Sequence, residues 1–505
     1  MNTTAAALKL KQFGINSPSI TLADGTVLEV LHVVRVVPAK RLVCQGRWCG
    51  QLVYAKLFFG QGAAKYLARD KQGVELLLQA GIATPPILFT GLSLDHQQHV
   101  LVLQAITPAQ NAEICWSELA LDAPVRIKLA EKLVLEVAAH HQAGLLQTDL
   151  YLKNFLLQTV DSANGQSAKV FTLDGDGIRR LPRLFSSCKK KQNLATLFSK
   201  MDALDDHRIP ELYRVYCERL GQHSSPRDEA KILQLTQQVR RQVASGYADK
   251  KVFRTCTDVK VTKSFNSFVA VASALNAEEF SVSVLDSALL DKNANFKNGN
   301  TCTVAKAKLA GSDVVIKRYN IKNFWHGLSR ALRATRAAKS WANAYRLMIS
   351  GILTPAPIAL IEQRWGCFRR RAYFVSTYVE APDALQYFAQ AEGLHDKKAV
   401  AQNLAALFYK MYLLKIAHGD CKATNIKIVD SAPMLIDLDS MKAYPMHMLA
   451  ASWFKLQHLK DLKRLMENWA DDAEIQALLK EAFVQKYGEH GVSEQDNILI
   501  RAKIA

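Results

Sequence analysis

Apolar positions recur in two long blocks that repeat the same order of elements. QAGIATPPILFTGL (79–92) and ISGILTPAPIALIE (349–362) each read as a helix ending in Gly-Ile, then a Pro-rich turn into an apolar strand. Downstream, Leu129, Leu133 and Val137 in one block and Val400, Leu404, Leu407, Phe408 and Met411 in the other follow the i, i+3, i+4 spacing of a buried helix face. Each helix runs into a polar motif, QTDLYLKNFLL (147–157) or HGDCKATNIKI (418–428). An apolar strand ending in acids follows, VFTLDGDG (170–177) or PMLIDLDSM (433–441). Gly81 precedes Asp149 by 68 positions and Gly351 precedes Asp420 by 69, so the pattern predicts a tandem duplication.

Upstream of each Gly-Ile helix lies a β-like run carrying a lysine, Lys56 in GQLVYAKLF (50–58) and Lys317 in GSDVVIKRYN (311–320). The polar, helical stretch 224–251 separates the copies, which places two domains at 1–244 and 245–505.

The polar motifs fit phosphoryl transfer, which needs phosphates and metal held in line and a carboxylate beside the attacking hydroxyl. In the second copy Asp420 orients or deprotonates the acceptor hydroxyl, Lys422 neutralises the transferring phosphate, and Asn425, five residues on, holds Mg²⁺ with Asp437. In the first copy the same roles fall to Asp149, Asn154 and Asp174, with Lys153 or no residue as the neutraliser. Lys56 and Lys317 are placed to grip the nucleotide phosphates. Asp176 and Asp439 are as well suited to capping a turn as to binding metal. His141 reads as a core histidine, and His418 as a brace for its loop.

These motifs together resemble the lipopolysaccharide kinase (Kdo/WaaP, InaA-like) family, relatives of protein kinases. The first copy carries its H-x-x-G-x-x-(H)-x-D pattern as His141, Gly144, Gln147 and Asp149, and 36–58 is similar to its N-lobe. In the second copy 317–357 resembles the family's stretch from the strand lysine through the following helix. The resemblance implies an α+β fold of two kinase-like bilobal domains, each a small antiparallel sheet on a helical lobe. It implies ATP and Mg²⁺ as cofactors, and transfer to a hydroxyl of a lipopolysaccharide inner-core sugar, heptose or Kdo. The place of work it implies is the cytoplasmic face of the inner membrane. The residue chemistry alone fits equally a kinase acting on a protein or a small alcohol, and a pseudokinase scaffold is the non-enzymatic alternative. Two departures bear on it. The helix acid expected to pair with the strand lysine is Asp70 in the first copy but Ser340 in the second. A Gly-bearing turn (NGNTCTVAKAKL, 298–309, with Gly299) and a histidine before the motif Asp occur only in the second.

Charge adds a partner. Lys and Arg number 65 against 46 Asp and Glu, a net +19, which favours an anionic partner. Lys317, Arg318, Lys322, Arg330, Arg333, Arg336 and Lys339 include no acid between them and interleave with Tyr319, Phe324 and Trp325. This predicts a surface meeting anionic lipid or lipopolysaccharide phosphates, and CFRRRAY (367–373) reads either as its extension or as an ordinary hairpin turn. No nucleic-acid motif accompanies the charge. Nine scattered cysteines without C-x-x-C spacing argue against a disulfide framework or a zinc site and fit a reducing cytosol. The sequence has no apolar signal region and no apolar run of spanning length, so the expectation is a cytoplasmic protein bound peripherally to the membrane.

Overall fold

The computed structural model describes residues 18–37, 40–120, 123–162, 165–290, 295–320, 333–390, 393–445, 448–489 and 500. Two compact units are present, Met1–Met201 with Arg208–Thr236, and Asp202–His207 with Gln237–Ala505. The helix Pro226–Ala248 carries both the division at Thr236 and the position 244 inferred from composition.

In the first unit a six-stranded antiparallel sheet runs in the order Ser19–Thr21, Val27–Val37, Arg41–Trp48, Gln51–Phe58, His99–Gln104, Ile87–Leu92. Period-two alternation along Arg41–Trp48 buries Leu42 and Cys44 on one face, where they pack with Leu28, Val53, Ala55 and Leu57. The helix Ala63–Gln79 buries Asp70, Gly73, Val74 and Leu77. At Gly73 a Cβ would stand 1.9 Å from the carbonyl oxygen of Gly175, so only glycine lets this helix lie against the acidic turn 174–177. The helices Pro124–Gln142, Ser186–Phe198 and Ile209–Arg219 form the second lobe.

The second unit repeats the plan with a seven-stranded sheet. Its order is Val259–Lys263, Ser267–Ala272, Pro357–Trp365, Phe368–Thr377, Ser312–Tyr319, Cys302–Leu309, Asn295–Asn298, and every neighbouring pair is antiparallel. The helix Arg336–Ile349 is capped by Thr335, whose hydroxyl accepts from the N–H of Ala338 at 3.0 Å. Below it the helices Leu394–Leu414, Met448–Met466 and Ala473–Glu489 meet through Phe408, Phe454, Phe483 and Tyr487, all almost fully buried. Each unit is therefore a small antiparallel sheet on a helical lobe. No helix among the described residues is long and apolar enough to cross a membrane.

Candidate active site

In both units the two polar motifs close into the same hydrogen-bonded frame. Asn154 donates through Nδ2 to the carbonyl of Asp149 at 2.8 Å, and Asn425 donates to the carbonyl of Asp420 at 2.8 Å. The carbonyls of the same asparagines accept from the N–H groups of Leu173 (2.7 Å) and Ile436 (3.0 Å), which immediately precede Asp174 and Asp437. Those two aspartates are left-handed, at φ 65° and 60°, a costly conformation for a residue with a Cβ. The strand lysines reach them: Lys56 Nζ lies 3.0 Å from Asp174 Oδ1, and Lys317 Nζ lies 2.8 Å from Asp437 Oδ1.

The frame also explains why the first copy has a glutamine where the second has a histidine before the motif Asp. His418 Nε2 lies 2.9 Å from the carbonyl oxygen of Ile436. Gln147 Nε2 donates to the equivalent carbonyl, that of Leu173, at 2.9 Å, so glutamine supplies the same bond. The loops are held differently from behind. In the second unit Asp461 accepts from the backbone N–H of His418 (2.7 Å) and of Gly419 (3.0 Å). In the first, Asn193 donates to the carbonyl of Gln147 at 2.8 Å and accepts at its Oδ1 from His141, which is buried and also bonded to the Tyr216 hydroxyl.

Around the strand lysines the units diverge. Lys56 is 2.6 Å from Asp70 as well as 3.0 Å from Asp174, and Asp70 is fully buried. Burial opposes the Lys56 charge, but the two carboxylates outweigh it and hold the ammonium above its ordinary value. Burial raises the Asp70 carboxyl, whereas at Asp174 Lys56 and Arg41 overcome burial and lower it. Arg41 is an added cation, its Nη1 within 3.7 Å of Asp70 and 3.6 Å of Asp174. Cys302, also fifteen residues before its strand lysine, takes its place in the second unit. There Ser340 bonds Tyr319 at 3.1 Å, and among the described residues Lys317 has no helix acid opposite it. Burial would raise the Asp437 carboxyl too, yet Lys317 keeps it below its ordinary value. Its side chain is 38% exposed against 19% for Asp174, so the second site is the more open.

Asp420 is half-buried and held by Arg464 at 2.8 Å, with Lys422 at 3.8 Å. Asp149 is exposed and has no ion pair among the described residues, and Lys153 instead stacks over the Tyr151 ring. Gly299 uses its N–H to close a turn on the carbonyl of Cys302 at 3.0 Å. It therefore shapes that hairpin, and its own N–H is not free for a phosphate. Asp176 and Asp439 are each ion-paired to an arginine of the helix opposite, Asp176 to Arg69 and Asp439 to Arg336 at 2.7 Å. Arg41, Arg464 and Asp461 carry no local sequence signal, since each acts on residues far along the chain.

Among the described residues no three His, Cys, Asp or Glu side chains gather as a metal site. Each loop offers instead one carboxylate and one amide oxygen, Asp437 with Asn425 or Asp174 with Asn154. Asn425 and Asn154 spend their NH₂ groups on the loop, which leaves the oxygen as acceptor. Such a sparse oxygen set fits Mg²⁺, which completes its shell with water and nucleotide phosphates.

The model of the lipopolysaccharide kinase (Kdo/WaaP) family matches residues 43–216 and again 290–487. Among solved structures, WaaP in complex with acyl carrier protein shares 20% identity over 42% of this chain and 88% of that one, at a TM-score of 0.33. The PknI kinase domain of Mycobacterium tuberculosis shares 15% over 41% and 95%, at 0.27. Vaccinia related kinase 3 shares 10% over 46% and 90%, at 0.26. No curated protein matches the chain. The two family matches together span well over half of the sequence, and the chain belongs to the lipopolysaccharide kinase (Kdo/WaaP) family.

Proposed function

We propose that the second unit transfers the γ-phosphate of ATP to a hydroxyl of a lipopolysaccharide inner-core sugar, heptose or Kdo. The family makes the protein a kinase that uses ATP. One observation supports the choice of unit: Lys317, Asp437, Asn425 and Asp420 share one hydrogen-bonded frame in which the Asp437 carboxylate is the more exposed, whereas Arg41 and Lys56 already compensate Asp174 in the first. In this reading Asp420 accepts the proton of the attacking hydroxyl, and Arg464 keeps its carboxylate aimed. Asn425 and Asp437 would hold Mg²⁺, which supplies charge neutralisation across the phosphates. Lys317 contacts the α- and β-phosphates and Lys422 the group in transfer. In this reading the first unit, with its sealed lysine, is the half that does not transfer phosphate.

Attachment to the cytoplasmic face of the inner membrane belongs to the same proposal. Of the basic stretch 317–339, Lys322, Phe324, Trp325 and Arg330 lie outside the described residues. Support comes from another place, the segment after the acidic turn of the first unit. Leu184 and Phe185 there are 78% and 80% exposed, and Phe185 is left-handed at φ 59°. Arg180, Arg183, Lys189 and Lys190 flank them without ion-pair partners among the described residues, the lysines in the opening turns of the helix Ser186–Phe198, where the helix dipole disfavours cations. An apolar tip ringed by unpaired cations is what an anionic leaflet stabilises. Mass spectrometry of core oligosaccharide from cells with and without the gene tests the function: loss of one core phosphate supports it, and an unchanged core overturns it.

A further inference from the structure

The second unit has a cleft of about 1360 Å³ behind the helix Arg336–Ile349, outside the frame described above. Eight Lys and Arg side chains line it against three acids. All three acids are taken: Asp439 by Arg336, Asp249 by Arg346, and Glu362 by Arg364 with Arg369. That leaves Arg333, Lys339, Arg370 and Lys442, which have no ion-pair partner among the described residues and come from three segments distant in sequence. Four like charges brought to one concavity repel each other in the free protein, and a bound anion relieves that repulsion. The two basic runs conspicuous in the sequence, at 333–339 and 369–370, therefore face a single space.

Its position ties it to the loop chemistry. Gly419 and Ser440 form part of the wall, one residue before Asp420 and three after Asp437. Its volume exceeds the roughly 300–1,000 Å³ of ordinary small-ligand sites, so it suits an oligosaccharide better than a single phosphate. Guanidinium forks and ammonium groups at several points match several phosphate or carboxylate groups on one ligand. A concave wall is less suited to the face of an acidic protein.

We infer that this cleft binds a multiply anionic saccharide, the phosphate- and carboxylate-bearing part of the core acceptor, and so anchors it beside the transfer loop. The inference rests on the function proposed above. It is tested with the full chain, comparing wild type with the Arg333→Gln, Lys339→Gln, Arg370→Gln, Lys442→Gln variant, none of whose positions belongs to the transfer frame. The ligands for calorimetry are delipidated phosphorylated core oligosaccharide, the same material after phosphatase treatment, inorganic phosphate and ATP. The expected result is at least tenfold weaker binding of the phosphorylated saccharide by the variant, a KM for it raised in step, and unchanged kcat and ATP affinity. Equal saccharide affinity in the two proteins overturns the inference. So does inorganic phosphate bound as tightly as the saccharide, or a defect confined to binding of an acidic protein. A wild-type protein that binds the saccharide through these residues but transfers no phosphate to it contradicts the proposed function and leaves the cleft standing.

Discussion

Lys317 donates a hydrogen bond of 2.8 Å to Asp437 across 120 residues of sequence, with no helix carboxylate among the described residues to share it. The lysine thus has one task where Lys56 has two, and it is free to leave Asp437 for a phosphate when nucleotide and metal arrive. Lys317→Met should lower transfer by two orders of magnitude or more and weaken ATP binding, because the phosphates lose a fixed cation. Lys56→Met should leave transfer within a few-fold of wild type. Steady-state kinetics on both variants checks this, and the opposite ranking would move the activity to the first unit.

Gln147→His should leave the first unit intact, since either side chain places a donor at the Leu173 carbonyl. Gln147→Leu strips a buried carbonyl of its partner and should cost about 1–3 kcal/mol. Hydrogen-exchange protection across residues 145–180 reads the difference. Equal protection in all three proteins would show that this bond does not brace the turn.

His458 sits fully buried among Phe408, Tyr412 and Phe454 and bonds the Tyr487 hydroxyl at 2.8 Å. Burial, with Lys415 nearby, lowers its pKa to about 3. The unfolded chain therefore takes up a proton near the ordinary histidine value while the folded chain does not, and stability falls as pH drops from about 6.5 toward 3. At about pH 5 this single residue should cost about 2 kcal/mol. Urea unfolding at about pH 7 and about pH 5 should show a flatter dependence for His458→Gln than for wild type.

Leu184→Ser with Phe185→Ser should reduce flotation with anionic liposomes at low salt and leave ATP affinity unchanged. Raising salt should release the wild type as well, because attraction of roughly 1 kcal/mol per basic residue is screened within a Debye length. Undiminished flotation of the variant would remove this tip from the membrane reading.

Much of this architecture was legible because the chain repeats itself. The shared spacing from Gly-Ile to the motif Asp fixed the order of elements, and counting back along the helix from Gly81 located Asp70, which does lie 2.6 Å from Lys56. The same count gave Ser340, and the structure adds that it bonds Tyr319. What escaped the sequence are contacts with no periodicity. Asp461 grips the backbone of His418 from 43 residues away, and Arg464, one helical turn further on, comes from the same amphipathic helix without a motif of its own. Arg41 looks like any strand-end arginine until the fold brings it among three carboxylates. Gln147 looked like a lost histidine because sequence shows residue identity and not the carbonyl it serves.

The most direct measurement is transfer of labelled γ-phosphate from ATP to purified core oligosaccharide by full-length Asp420→Asn, Asp149→Asn and the double variant. Asparagine keeps the volume of aspartate but cannot accept the hydroxyl proton. Asp420→Asn and the double variant should lose transfer by at least a hundredfold while Asp149→Asn retains it. Wild-type rates in Asp420→Asn would contradict the assignment of phosphotransfer to the second unit.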